Sequence, residues 1–240
     1  SWNLTKRCNL NCDHCYLDAD FRGGLKTDEL NTEECFRVID QIAEVNPNAF
    51  LILTGGEPLL RPDIYEIIRY AADKKFMVVL GTNGTMINRV NAEKIKAAGA
   101  HGVGISIDSM NPDKHNKFRG VDKAWELSMD AFDILNEVGV DFLVQMSVSD
   151  MNYKEIPEVV EFTEKIGAIA FNLYFLVCTG RGQGNTDISN VAYEEALKML
   201  YEQQMKYKGR LMITSKCAPQ YKRVVYENDP ESVYTRTYSG

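Results

Sequence analysis

The sequence predicts an α/β fold built on one parallel sheet, because strand-like and helix-like segments alternate along most of the chain. The strand-like segments are short apolar runs, whereas the helix-like segments carry apolar residues at the i, i+3, i+4, i+7 spacing of an amphipathic helix. Strands joined through helices make right-handed crossovers and therefore run parallel. Polar or glycine-rich residues follow most of the strands, which predicts a ligand site at their carboxyl ends.

Six strands are predicted, at residues 2–5, 50–53, 76–80, 103–107, 142–148 and 169–177. Helical patterns separate them, at residues 29–45, from 62 onwards, 91–98, 121–138 and 156–166. A further helix at 193–207 and a short strand at 211–214 follow the sixth strand. Six strand–helix units are fewer than the eight of a closed barrel.

Composition and charge narrow the class of protein. The 240 residues are 45% apolar and 25% charged, which is ordinary for a globular domain. The net charge of −7 argues against a nucleic-acid partner and against an anionic membrane surface. No apolar run approaches the roughly 18 residues that a membrane-spanning helix requires. Three clustered and three scattered cysteines fit a reducing compartment, so a cytoplasmic location is expected.

Cys8, Cys12 and Cys15 form a C-x3-C-x2-C loop near the start of the chain. Three thiolates can hold three corners of a [4Fe–4S] cluster and leave the fourth iron open to another ligand. The alternative is a zinc site in which His14 joins these cysteines. Structural zinc sites usually bring a second pair of ligands at short spacing, and the sequence has none. The spacing therefore favours the cluster.

The cysteine loop resembles the signature of the radical S-adenosylmethionine (SAM) superfamily. The T-G-G-E-P turn at residues 54–58 resembles that family's second signature. The resemblance implies an open (β/α)6 partial TIM barrel, a [4Fe–4S] cluster on the three loop cysteines, and bound SAM. It further implies that SAM is cleaved reductively to a 5′-deoxyadenosyl radical, which abstracts hydrogen from a substrate. An electron donor such as ferredoxin or flavodoxin would reduce the cluster.

The same resemblance implies which residues bind SAM. Gly55 and Gly56 would let the backbone approach the ligand, with Glu57 as an acceptor near the SAM amino group. His14 and Tyr16 would contact the adenine. The remaining candidates are Thr82 and Asn83 on the ribose side, Ser106 and Asp108 near the SAM carboxylate, and Arg119 beside them. Two alternatives stay open, since Thr-Asn-Gly is also a common turn and Arg119 could form a surface salt bridge.

The other cysteines and histidines have different expected roles. Cys35 lies on the apolar face of a predicted helix and should be a core residue, and Cys178 is interpreted as a small buried residue. Cys217 resembles the auxiliary-cluster ligand of the SPASM and twitch extensions in this superfamily. We therefore expect residues 1–190 to form the radical SAM core and residues 191–240 to begin an extension that continues past residue 240. His101 and His115 have no companions at ligand spacing.

The chain also resembles one branch of the superfamily in further segments, at residues 5–7, 117–120, 175–182 and 217–219. That branch contains the enzymes of siroheme-derived heme synthesis, which act on tetrapyrrole side chains. Peptide-modifying SPASM maturases share most of these segments and are the alternative. Arg181 would recognise a substrate carboxylate, which both substrate classes offer. A non-catalytic iron–sulfur or zinc protein is a further alternative, against which the Gly-Gly-Glu turn speaks.

Overall fold

The computed structural model describes residues 1–23, 28–176, 179–183 and 188–235. Its centre is a curled parallel sheet of seven strands that lie side by side in chain order. The strands are β1 (Trp2–Asn3), β2 (Phe50–Thr54), β3 (Met77–Thr82), β4 (Gly102–Ser106), β5 (Phe142–Val148), β6 (Ala170–Phe175) and β7 (Met212–Lys216). Every neighbouring pair is parallel. The predicted partial TIM barrel is confirmed, and the short strand predicted at residues 211–214 joins its sheet as the seventh strand.

Helices connect the strands in the described part of the chain. They are α1 (Thr32–Val45), α2 (Ile64–Asp73), α3 (Arg89–Ala97), α4 (Pro112–Arg119), α5 (Ala124–Val138), α6 (Ile156–Lys165), α7 (Asn190–Lys206) and α8 (Tyr221–Asn228). Asn31 and Glu34 form a capping box at the start of α1, which satisfies amide groups that a helix terminus otherwise leaves unpaired. None of these helices is long and apolar enough to cross a membrane.

The core lies between the sheet and the helices, and the opposite face of the sheet is more polar. Along β5 fully buried residues alternate with half-buried ones, so the two faces of the strand differ. The half-buried face carries polar side chains such as Gln145, and on β7 Thr214 donates to Asn172 of β6 at 2.6 Å. Cys35 is fully buried in the core, as predicted.

The seventh strand changes the place of Cys217. β7 pairs with β6 from Ala170 to Tyr174 and so belongs to the barrel sheet. Cys217 is therefore the first residue after a barrel strand, at the carboxyl-end rim. The expected division into a core of residues 1–190 and an extension of residues 191–240 stays a prediction, and β7 of the barrel sheet lies within the second range.

Candidate active site

The three clustered cysteines lie on a loop whose two ends are held together. Arg7–Cys8 pairs in parallel with Asp20–Phe21, which closes the segment between them. Cys8 and Cys12 are buried, and Cys15 is half-buried. The backbone N–H of Leu10 donates to Cys8 Sγ at 3.4 Å, and that of Ala19 donates to Cys15 Sγ at 3.3 Å. Two of the three sulfurs therefore accept hydrogen bonds from the loop itself.

Burial disfavours free thiolates in the loop, so a bound cationic group is needed to hold the cysteines in their ionised form. Burial raises the pKa of Cys8 to about 12 and also raises the pKa of Cys12. The Arg119 guanidinium lies 3.9 Å from Cys12 Sγ and works in the opposite direction. Metal coordination deprotonates such thiols, and N–H donors to sulfur are a usual feature of iron–sulfur sites. The residues present therefore fit a [4Fe–4S] cluster.

His14 packs against protein instead of grouping with the cysteines. Its ring stacks on that of Phe118, with centroids 4.1 Å apart and planes inclined by 10°. Burial lowers the pKa of His14 well below its usual range, so the ring is neutral. Its buried Nδ1 has no hydrogen-bond partner among the described residues. Tyr16, the other predicted adenine contact, is exposed and donates to Asn3 Oδ1 at 2.9 Å.

In the ranges that the structure describes, no three His, Cys, Asp or Glu side chains are placed to hold one metal ion together. The donor atoms of a tetrahedral zinc site all lie within about 2.3 Å of the metal. The three cysteines of a cubane bind three different iron atoms instead. The stacked position of His14 gives no support to the zinc alternative.

The Gly-Gly-Glu turn packs against the segment that leads into the cysteine loop. The Gly56 N–H donates to Thr5 O at 2.7 Å, and the Glu57 N–H donates to Arg7 O at 2.8 Å. A Cβ on Gly56 would lie 2.2 Å from Arg7 O, and one on Gly55 would lie 2.5 Å from Thr5 O. The glycines are thus required by contacts within the protein. Their predicted contact with SAM remains a prediction.

Glu57 joins the ends of β2 and β3. Its carboxylate is fully buried and accepts from the Leu59 N–H at 3.0 Å and from the Asn83 N–H at 3.0 Å. The Thr82 hydroxyl lies 2.9 and 2.8 Å from its two oxygens. Burial raises the pKa of Glu57. In this structure Glu57 and Thr82 bond to each other and to the protein, so both hold the rim together.

A small amide network connects β3 to the cysteine loop. Asn83 Nδ2 donates to Asn9 Oδ1 at 2.8 Å, and Asn9 Nδ2 donates to Thr85 Oγ1 at 2.8 Å. The Thr85 hydroxyl donates back to Asn83 Oδ1 at 2.7 Å. Sequence reasoning placed Asn83 at the site but missed Asn9. Its position inside the cysteine motif was the available signal.

The end of α4 supports the other side of the loop. The Asn11 N–H donates to Arg119 O at 3.1 Å, and the Asp13 N–H donates to Phe118 O at 3.2 Å. Gly120 follows with φ +68°, and a Cβ there would lie 2.2 Å from Asn11 O. Glycine is therefore required where the helix ends against the loop.

Asp108 and Arg119 form a buried ion pair, so the surface salt bridge considered for Arg119 is wrong. The Arg119 Nε lies 2.6 Å and its Nη2 lies 2.5 Å from Asp108 Oδ2, while the Ser147 N–H donates to Asp108 Oδ1 at 2.9 Å. His115, expected to be ordinary, is buried and accepts the Asp108 N–H at 3.2 Å. Burial lowers the pKa of His115 to about 3. Ser106 lies half-buried at the last position of β4.

Arg181 points into the cysteine loop. Its Nε donates to Cys12 O at 3.1 Å, and its Nη1 lies 2.7 Å from Ala19 O and 3.1 Å from an Asp18 carboxylate oxygen. Its backbone N–H donates to Cys15 O at 3.1 Å. In this structure these donors position the loop, and the expected recognition of a substrate carboxylate by Arg181 stays a prediction.

Cys217 is exposed, with φ +58°, and lies at the rim near three tyrosines. These are Tyr16, Tyr174 and Tyr193, and burial, with a smaller contribution from Cys217, raises the pKa of Tyr174 and Tyr193. Its role as an auxiliary-cluster ligand stays a prediction. Cys178 lies outside the described residues.

The chain belongs to the radical SAM superfamily. The family model described as "Radical SAM superfamily" matches residues 2–163, which include the cysteine loop, the Gly-Gly-Glu turn and Arg119. Proteins of this superfamily are enzymes that use a [4Fe–4S] cluster and SAM.

Two curated relatives and one solved structure extend the comparison. The chain is 39% identical over 225 residues to the AdoMet-dependent heme synthase of Methanosarcina barkeri, covering 94% of this chain and 63% of that protein. It is 31% identical over 206 residues to the antilisterial bacteriocin subtilosin biosynthesis protein AlbA of Bacillus subtilis, covering 85% and 45%. The chain thus spans less than two thirds of either relative. Streptococcus suis SuiB bound to precursor peptide SuiA shares the fold, with a TM-score of 0.78 and 16% identity over 99% of this chain and 54% of that one.

Proposed function

We propose that the chain is the core of a radical SAM enzyme that acts on a side chain of a tetrapyrrole. When bound, the reduced cluster supplies the electron that cleaves SAM, which yields the 5′-deoxyadenosyl radical that abstracts hydrogen from the substrate. The observation that carries the proposal is a loop of three cysteines fixed at the carboxyl-end rim of a partial barrel.

The residues of the chain divide this work between ligation and positioning. Cys8, Cys12 and Cys15 would ligate the cluster, and the hydrogen bonds to two of their sulfurs would stabilise its negative charge. Asn9 and Arg181 hold the loop at two separate places on the rim. Burial of Cys8 and Cys12 limits the access of water to the site. A reaction through a carbon radical requires that water be kept out.

The backbone of the Gly-Gly-Glu turn and the half-buried Ser106 are two candidates for SAM contacts. Both lie at the rim that carries the cysteine loop, since each sits at the end of a parallel strand. Tyr16 would supply an exposed aromatic face for the adenine. Glu57 and Asp108 would support the site without contacting SAM, because their carboxylates already accept hydrogen bonds from the protein.

The relative named as a heme synthase supports a tetrapyrrole substrate, and it matches nearly the whole chain. AlbA and the peptide complex of SuiB support the alternative, a peptide maturase. The two are separated by deuterium transfer. A porphyrin deuterated on its propionate side chains should deliver deuterium to 5′-deoxyadenosine, detected by mass spectrometry. Transfer from a peptide, and none from the porphyrin, would favour the alternative.

Three further parts of the proposal concern the setting of the reaction. A ferredoxin or flavodoxin would supply the electron, and the enzyme would work in the reducing cytoplasm, where the free thiols of the loop persist.

Cys217 would ligate an auxiliary cluster together with residues of a longer chain. Its position directly after a barrel strand and at the rim of the site supports this assignment.

The cluster itself is tested by anaerobic reconstitution. The protein should bind about four irons and cleave SAM to 5′-deoxyadenosine when reduced. Cys12→Ala should lose both properties. The matched control is Cys35→Ala, because Cys35 is also buried but lies in α1, outside the cysteine loop. Stoichiometric zinc without SAM cleavage would overturn the proposal.

A further inference from the structure

A cavity of about 300 Å³ opens at the carboxyl-end rim beside the cysteine loop. It lies between the segments that follow β4 and β5. Its lining includes Asp108, Lys114, Lys117, Phe118, Met151 and Asn152. A cavity of this size is at the small end of the range for ligand pockets, so it would hold part of a large ligand and not all of it.

The cavity shares one wall with the cysteine loop. Phe118 lines it and stacks on His14 of the loop at 4.1 Å. Asp108 also lines it and pairs with Arg119, which lies 3.9 Å from Cys12 Sγ. A molecule in the cavity would therefore reach the region where the cluster and SAM are expected.

The charged groups of the cavity leave it with positive character. Asp108 is neutralised by Arg119, and the Lys114 ammonium lies 2.7 Å from Glu155 Oε1. Lys117 is exposed and takes part in none of the ion pairs within the described ranges. Phe118 and Met151 supply apolar surface next to it. This combination fits an anionic group at the end of a short apolar stem.

We propose that the cavity receives a carboxylate-bearing side chain of the tetrapyrrole, with Lys117 as its cationic partner. Phe118 and Met151 contact the methylene stem and the adjoining edge of the ring. This inference rests on the proposed function and adds to it the recognition of one substrate arm. It gives the substrate carboxylate a cation other than Arg181, whose donors go to the cysteine loop.

The inference is tested by comparing the binding of coproporphyrin III, which carries four propionate carboxylates, with that of its tetramethyl ester, in which all four are neutral esters. Absorbance titrations would use the reconstituted protein and its Lys117→Met and Lys165→Met variants. Lys165 is also exposed but ends α6, so its side chain lies at the opposite rim. Lys117→Met should weaken coproporphyrin binding about tenfold, a change of about 1.4 kcal/mol. Lys165→Met should leave the affinity unchanged, and the ester should bind all three proteins alike.

A second variant restores the charge from the other wall. Adding Met151→Lys to Lys117→Met should recover most of the lost affinity, because Met151 is half exposed and lines the same cavity. Equal affinity of the wild type and Lys117→Met would overturn the inference and leave the tetrapyrrole proposal standing. A wild type that cleaves SAM but binds no porphyrin would overturn both. Equal losses of coproporphyrin affinity in Lys117→Met and Lys165→Met would show a general charge effect and would also overturn the inference.

Discussion

Gly56→Ala should displace the backbone segment that leads into the cysteine loop, and should not merely weaken a ligand contact. The new Cβ would lie 2.2 Å from Arg7 O and 2.7 Å from Arg7 C. Real Cβ atoms essentially never come closer than 3.0 Å, so the backbone at Arg7 must move by about 0.8 Å. Arg7 directly precedes Cys8, so the movement is passed to a cluster ligand. It also weakens the two backbone hydrogen bonds that Gly56 and Glu57 donate.

The magnitude follows from these contacts. Overpacking of a close-packed region costs about 1–3 kcal/mol, and each strained hydrogen bond adds about 1 kcal/mol. We therefore expect the free energy of unfolding to fall by about 3–5 kcal/mol in urea titrations. Iron content after reconstitution should fall together with it. An alternative in which Gly56 only makes room for SAM predicts lost SAM binding with normal iron content.

Gly167→Ala is the matched control. Gly167 has φ +78°, and a Cβ there would meet nothing within 4 Å. Its substitution should cost only about 1 kcal/mol, from the left-handed backbone, and should leave iron content unchanged. If Gly56→Ala is no less stable than this control and keeps its iron, the packing argument is wrong.

Two further predictions concern the residues around the loop. Arg181→Met removes charged donors to three loop oxygens, so a chelator should strip iron about tenfold faster than from the wild type. The control Arg210→Met breaks an exposed ion pair with Glu164 and should leave the rate of iron loss unchanged. Equal rates in all three proteins would contradict the positioning role of Arg181. The pKa of His115 is about 3 in the folded protein and about 6.5 in the unfolded chain, so the unfolded chain takes up a proton first as the pH falls. Stability that is present above pH 6.5 is therefore lost between pH 6.5 and pH 3. From pH 7 to 5 the wild type should lose about 2 kcal/mol more stability than His115→Gln, measured by urea unfolding, and parallel pH profiles would refute this.

The position of the site was predictable because it depends on topology. Alternation of apolar runs and amphipathic helices fixes a parallel sheet, and the carboxyl ends of parallel strands share one edge. The motifs around Cys8, Gly56, Thr82 and Asp108 therefore had to meet once the strands were recognised. The core position of Cys35 followed in the same way from the periodicity of its helix.

The partners of individual side chains were not predictable, because they depend on contacts between distant parts of the chain. Arg181 donates to Cys12 O across 169 positions, and no local pattern encodes that contact. Arg119 is buried because the short helix α4 packs against the cysteine loop, although the helix itself is largely polar. The strand before Cys217 mixes apolar and polar residues over five positions, so its pairing with β6 left little signal.

The anchoring of the cysteine loop has a consequence for its chain entropy. The loop is tied by hydrogen bonds to Asn83, to the end of α4 and to Arg181, and its ends are paired with each other. Fixing a residue costs about 1–2 kcal/mol of conformational entropy, and here folding of the barrel bears that cost before any iron arrives. Small zinc domains differ, since the metal must order their ligands and chelators unfold them. Iron lost from this loop on oxidation could therefore be replaced in a barrel that stays folded.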